Sequence, residues 1–200
     1  MPELTGIRSR RRSVACLAAA VAFAAFAGAG PANAGAAGHL VQAVDGAPDF
    51  GPNVTIIDPS MPTADIQAIL DDLAATQVND EMGSNRQSVL FLPGEYGSIE
   101  DPLQARVGYY TEIAGLGAQP TDVSVNGKFE VYNRCLADSG TSNCIALVNF
   151  WRTLSNLSLQ VNAAGQDGCR ASANFWAVSQ AVSMRRLDIS GANLSLMDYC

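Results

Sequence analysis

The side chains able to do acid–base work in this 200-residue chain include the carboxylates Glu95, Glu112, Glu130, Asp167, Asp188 and Asp198. Cleaving a bond to a leaving oxygen takes a proton donor and, on the other side, a base or nucleophile. No pair among these carboxylates has a spacing that singles it out. Asp188 lies between Leu187 and Ile189, so strand alternation points it outward, into a groove or simply into solvent. Trp151 and Trp176 have flat apolar faces suited to the C–H faces of sugar rings, although aromatics at such positions more often belong to a core. Arg152, Arg185 and Arg186 could hold an acidic sugar; a solvated face is the plainer reading. Metal ligation has little support, because there is no CxxC pair and the one histidine, His39, lies far from the other candidate ligands. No phosphate-binding glycine motif is present, and Gly115-Leu116-Gly117 reads as a turn. The reading therefore assigns no metal and no cofactor.

The elements that must position these residues are short. Asn53 to Asp58 carries an apolar run that reads as a strand, and Asp58-Pro59-Ser60-Met61-Pro62 as a turn. Thr63 is a good N-cap, and Ile66, Ile69, Leu70 and Leu73 recur at helical spacing, which predicts a helix over 64–77. From residue 88 short β-prone runs recur between Gly, Pro, Asn and Asp. They cover 88–92, 109–113, 122–125, 129–132, 145–148, 157–161, 175–178, 187–189 and 194–196.

One spacing says more than the runs themselves. Leu154, Leu157 and Leu159 are followed 30 residues later by Met184, Leu187 and Ile189. A strand pattern that repeats every 20–30 residues without interleaved helices points to stacked coils. An antiparallel sandwich is the alternative, but hairpin signals are missing between the runs, except at Asn126-Gly127.

The N-terminus has a different texture. Arg8, Arg10, Arg11 and Arg12 precede an apolar run from Val14 to Gly28, and Ala32-Asn33-Ala34 offers a small-residue cleavage site. That order predicts a secretory signal peptide over 1–34, followed by a flexible segment over 35–52. The apolar run falls short of the ~20 residues that span a bilayer, so no membrane anchor is expected after cleavage. Removing four arginines and one glutamate leaves 8 basic and 18 acidic residues, a net charge of −10. Such a chain does not suit nucleic acid or anionic membranes as partners. Cys135, Cys144, Cys169 and Cys200 remain, an even number, which in an exported chain suggests disulfides. Three pairings are open; Cys135–Cys144, around a short polar loop, with Cys169–Cys200 is favoured.

Several phrases carry a family resemblance. Ile66-Gln67-Ala68-Ile69-Leu70-Asp71, Val89-Leu90-Phe91-Leu92-Pro93-Gly94-Glu95-Tyr96 and Ile113-Ala114-Gly115-Leu116-Gly117 resemble the opening of pectate-lyase-type right-handed β-helices. Asn149-Phe150-Trp151-Arg152-Thr153-Leu154-Ser155-Asn156-Leu157 and Phe175-Trp176-Ala177-Val178-Ser179-Gln180-Ala181-Val182-Ser183-Met184 narrow the likeness to family-55 glycoside hydrolases, secreted β-1,3-glucanases. Phe175 stands where that family usually has His. The resemblance covers roughly residues 50–196. It implies an all-β fold: a right-handed parallel β-helix over 53–200, capped at its N-terminal end by the helix. The family's chains are several times longer, so the reading expects only the first coils here.

The resemblance also implies a role. In the family the glutamine of the second phrase, here Gln180, helps position the attacking water, and the general acid comes from far downstream. An amide both donates and accepts hydrogen bonds, so it can orient a water without acting as a strong base. The expectation is a secreted, monomeric carbohydrate-active protein, the N-terminal part of a glycoside hydrolase whose partner is a β-glucan-like polysaccharide. Two alternatives stay open. A polysaccharide lyase would need a basic cluster or calcium-binding carboxylates, which 8 basic residues do not favour. A non-catalytic glycan- or surface-binding β-helix is the other.

Overall fold

The structure, a computed structural model, describes residues 48–132, 134–135, 144–145, 150–176 and 180–196. The expected signal peptide, most of the segment 35–52, the loop between Cys135 and Cys144, residues 146–148 and 177–178 of two expected strands, and Cys200 lie outside them.

The chain runs β1 (Val54–Ile57), α1 (Thr63–Gln77), β2 (Gln87–Phe91), β3 (Gly94–Tyr96), β4 (Leu103–Arg106), β5 (Thr111–Gly115), β6 (Val123–Glu130), β7 (Arg134–Cys135), β8 (Cys144–Ile145), β9 (Arg152–Gln160) and β10 (Ser183–Ser190). Strands β1, β2, β5, β9 and β10 lie side by side, each parallel to the next. Strands β3 and β4 both pair in parallel with β6, and β6 with β9. Only β7 and β8 are antiparallel among the described pairs. The 30-residue repeat is a true register: Leu154, Leu157 and Leu159 face Met184, Leu187 and Ile189.

Two strands change partner along their length, and this curls the sheet. The first half of β9 pairs with β5 and its second half with β6. Between them Asn156 takes a left-handed conformation (φ 53°), and Arg186 repeats it on β10. In β6 the bend falls at Gly127 (φ 147°), where a β-carbon would collide with the Leu103 carbonyl. Asn126-Gly127 is therefore a corner within one strand and not the hairpin turn its sequence suggested. The outcome is a mostly parallel sheet curled into a half-barrel, with one α-helix among the described residues.

Inside the curl lie Ile57, Phe91, Tyr96, Leu103, Phe129, Leu154, Leu157 and Leu159, all buried. Phe91 and Tyr96 meet edge to face at 4.9 Å, and the Tyr96 hydroxyl donates to the Leu92 and Ile57 carbonyls. Helix α1 buries Ile66, Ile69 and Leu70 as its spacing predicts. Its N-cap position is Pro62 rather than Thr63. Its polar contacts are specific. The Gln67 amide accepts from the Gln104 N–H (2.9 Å) and donates to the Gln104 carbonyl (2.7 Å), as a neighbouring strand would. The helix thereby satisfies an edge that would otherwise be left open.

The segment 175–178 is not a regular strand as far as it is described. Residues 173–176 are buried, and Ala173 is joined to Ser195 by a parallel bridge. The segment bonds along the backbone edge of β6, where the Val131 N–H donates to the Phe175 carbonyl at 2.7 Å. There Asn174 accepts from the Phe129 N–H and donates to the Phe129 carbonyl, 2.9 Å each. Glu130 accepts from the Phe175 N–H at 3.0 Å and from the Tyr132 hydroxyl at 2.6 Å. Lys128 donates to Gln166 and to the Arg170 carbonyl. Glu130 and Lys128 are fully buried, and burial pulls the Lys128 pKa down.

Candidate functional site

The site begins at a corner of the chain. Tyr110 and Trp151 immediately precede β5 and β9, and Ala181 comes two residues before β10. All three hold left-handed backbone, φ 53°, 56° and 48°. Their backbones form one ladder: the Tyr110 N–H donates to the Trp151 carbonyl (2.8 Å) and the Trp151 N–H to the Ala181 carbonyl (3.1 Å). This conformation is costly for a residue with a β-carbon and persists only where neighbours enforce it, often at functional sites.

The corner turns its side chains outward into a column. The Tyr110 and Trp151 rings stack at 5.2 Å, 7° from parallel. The Arg86 guanidinium lies 3.6 Å above the Tyr110 ring, and the Tyr110 hydroxyl is tied to the Glu81 carbonyl at 2.7 Å. Phe150 also packs on Trp151, at 5.4 Å and 38°, and at the next step of the ladder, Ala181, the side chain is a methyl. An open groove of about 430 Å³ runs beside the column from Arg86 to Ala181, and Trp151 is 42% exposed.

A polar row flanks the column. Register sets Glu112 beside Thr153 and Thr153 beside Ser183, and the Ser183 hydroxyl bonds to that of Thr153 at 3.2 Å. All three line the groove. Under it Arg152 is buried, its Nε donating to the Val107 carbonyl (2.7 Å) and its guanidinium 4.3 Å from the Tyr109 ring centre. Burial lowers its pKa to about 10. Its hydrogen bonds go to carbonyls of its own chain, so the acidic-sugar contact considered for it has no free fork to use.

The structure thus treats the sequence candidates differently. Trp151 lines the groove, and Gln180 is exposed directly before Ala181, which lines it. Trp176 is 3% exposed within the core and offers no open face to a ligand. Arg186 spans to the Asn156 side chain (3.1 Å) and the Ala118 carbonyl (2.7 Å), in a second groove that Arg185 shares. Of the carboxylates, Glu112 lines the first groove, Glu130 is buried against Phe175, and Glu95, Asp167 and Asp188 are exposed; Asp198 lies outside the described residues. Cys135 stands opposite Cys144 in the β7–β8 register, and Cys169 lies in a short helical turn, Gly168–Ser172. Among the described residues no cluster of three or more His, Cys, Asp or Glu is arranged for a metal, and no helix is long and apolar enough to cross a membrane.

Arg86, Tyr110 and Ser183 join the site without having been singled out for it, beside Glu112, one of the six carboxylates considered. The 30-residue offset that links Leu154 to Met184 also links Trp151 to Ala181 and Thr153 to Ser183, so part of the groove was within reach of the repeat. Left-handed backbone at a Tyr, a Trp and an Ala leaves no such trace in sequence.

No family model matches the chain. Over 151 residues, 75% of this chain, it is 40% identical to an exo-β-1,3-glucanase of Streptomyces sp. (strain SirexAA-E / ActE), of which the match covers 22%. The structure of sacteLam55A from Streptomyces sp. SirexAA-E superposes with a TM-score of 0.58 at 38% identity, covering 75% of this chain and 24% of that one. A glutamate-to-alanine variant of sacteLam55A in complex with glucose gives a TM-score of 0.57 at 37% identity, covering 76% and 24%. The chain therefore spans less than a quarter of the length of these relatives. Over that stretch the resemblance read from its motifs is borne out: the chain is homologous to the N-terminal part of a family-55 glycoside hydrolase.

Proposed function

We propose that this chain forms the first coils of a right-handed parallel β-helix and one wall of the site of an exported β-glucan hydrolase. The 40% identity to an exo-β-1,3-glucanase carries the reading. The groove supports it, because an exposed indole beside a row of hydroxyls and a carboxylate suits a polyol with apolar faces. Gln180, exposed and one residue before the groove-lining Ala181, orients the attacking water by donating and accepting hydrogen bonds. The general acid comes from a part of the protein that these residues do not include, as the family resemblance implies.

Export rests on the basic, apolar and small-residue order of residues 1–34, whose cleavage gives a chain beginning at Gly35. The Cys135–Cys144 register supports a disulfide, since opposed antiparallel residues lie about 4.5–5.5 Å apart at Cα, within disulfide range. Cys169–Cys200 is then the second pair. Peptide mapping of the mature protein without reductant checks both pairings and the new N-terminus.

The test of activity is a graft. Residues 48–196 replace the matching N-terminal part of the Streptomyces enzyme, and glucose release from laminarin is measured. The chimera is expected to be active, and Gln180→Ala within it to lower kcat about 100-fold with little change in KM. A folded chimera without activity on any β-glucan contradicts the function. Full activity in Gln180→Ala contradicts the role of that residue.

A further inference from the structure

We infer that the second groove, at the bends of β9 and β10, is a subsite for a phosphate-type oxyanion held by Arg185 and Arg186. The inference is independent of the β-glucan reading and concerns a different groove from the one that Trp151 lines.

The bend brings the two arginines together. In a regular strand consecutive side chains point to opposite faces. Arg186 takes a left-handed conformation (φ 53°), and Arg185 and Arg186 both line one open groove of about 390 Å³. That conformation is costly for a residue with a β-carbon and persists where neighbours enforce it. Here the neighbours are identifiable. The Arg186 Nε donates to Asn156 Oδ1 (3.1 Å) and its Nη2 to the Ala118 carbonyl (2.7 Å). Asn156 is itself fixed, its Nδ2 donating to the Gly115 and Gly117 carbonyls at 2.7 Å each. The Arg186 guanidinium is thus held in place before any ligand arrives, which lowers the entropy cost of binding.

Donors remain for a ligand. The Arg186 fork has N–H groups beyond the two it uses. Arg185 is exposed and has no hydrogen bond or ion pair among the described residues. The rest of the lining is small and uncharged: Gly115, Gly117, Ala118 and Ser155, beside Asn156. No carboxylate is among these lining residues. Asp122 lies close to Gly117, but it accepts from the Gln119 N–H at 2.8 Å. The groove therefore presents two cations without a counter-charge, within a chain of net charge −7. One guanidinium fork already satisfies a planar carboxylate, whereas a tetrahedral dianion presents oxygens to two forks at once. The ligand class is phosphate, free or as a monoester on a sugar.

The experiment is titration of the intact, nitrogen-labelled chain with inorganic phosphate, followed in a two-dimensional amide spectrum at constant ionic strength. Acetate is the planar, singly charged comparison, and glucose 6-phosphate is the monoester. Arg185→Gln breaks no contact among the described residues, so it tests the site without touching the fold. Arg186→Asn places at the β10 bend the residue type that the β9 bend already holds in the same conformation, and thermal unfolding monitors it. Phosphate is expected to shift the Gly115, Gly117 and Ala118 amides saturably. Each variant is expected to weaken it at least about tenfold, and acetate to bind at least about tenfold more weakly than phosphate. Tighter binding of glucose 6-phosphate than of phosphate assigns the monoester, and weaker binding assigns the free ion. No saturable shift in the unsubstituted chain, or unchanged affinity in Arg185→Gln, overturns the subsite. Acetate that binds as tightly as phosphate overturns the assignment to a tetrahedral dianion.

Discussion

Trp151 and Trp176 lie in neighbouring stretches of chain with similar sequence texture, yet one is 42% exposed over a groove and the other 3% exposed in the core. The backbone makes the difference. Trp151 sits at a left-handed corner (φ 56°) that swings its side chain away from the sheet interior and onto Tyr110. Trp176 continues an extended segment whose neighbours, Asn174 and Phe175, are bonded to β6. The corner region spends backbone strain to display aromatic rings. The covered region spends side-chain amides and charges to hold a segment shut. Polar groups follow the same division: Glu112 stands open in the groove, whereas Glu130 is fully buried and hydrogen-bonded.

This contrast sets a scale of expected effects. Trp176→Ala removes a large core side chain and is expected to cost about 3–5 kcal/mol in urea unfolding, whereas Trp151→Ala costs under about 1 kcal/mol. Equal losses at the two positions would erase the distinction. Glu130→Ala leaves the buried Phe175 N–H and Tyr132 hydroxyl without their acceptor and is expected to cost about 3 kcal/mol; Glu112→Ala is expected to be near neutral for stability. Asn174→Ala, which frees two buried backbone groups of Phe129, should fall near 2 kcal/mol by the same measurement.

A smaller effect depends on pH. Burial, with a contribution from Asp58, raises the pKa of Tyr96 above its usual 10.0, and burial with Glu130 raises that of Tyr132. A phenol held protonated by the fold stabilises it fully below the unfolded-state pKa and loses that contribution as pH rises. Stability should therefore begin to fall near pH 10.0. Tyr96→Phe should make that decline shallower while costing about 1 kcal/mol at pH 7 through its lost hydrogen bonds. A decline of unchanged slope in Tyr96→Phe would argue that other groups govern it.

Much of the core was legible in sequence, because it follows from periodicity. Helix α1 buries Ile66, Ile69 and Leu70 of the four residues its spacing named and packs Leu73 partly buried against the core, and the 30-residue offset became the β9–β10 register without adjustment. Strands β3 and β4 were not seen. Each has only three or four residues, too few for alternation to show, and Leu103-Gln104-Ala105-Arg106 is made largely of helix-favouring types. Asn126-Gly127 misled because a glycine that permits a hairpin also permits a strand to bend. The site was half visible. Trp151 could be named by its type, but its exposure depends on a corner conformation that Tyr110 and Trp151 do not advertise. The burial of Trp176 in the core accompanies the docking of its neighbours Asn174 and Phe175 on β6, which no local pattern encodes.

The most direct test compares the two tryptophans in one experiment. In a two-dimensional amide spectrum of the intact, nitrogen-labelled chain each indole N–H gives its own signal. Titration with a linear β-1,3-linked glucose pentamer should shift the Trp151 indole and the Gln180 side-chain amide while the Trp176 indole stays in place. A shift of Trp176 with Trp151 unmoved would contradict the account.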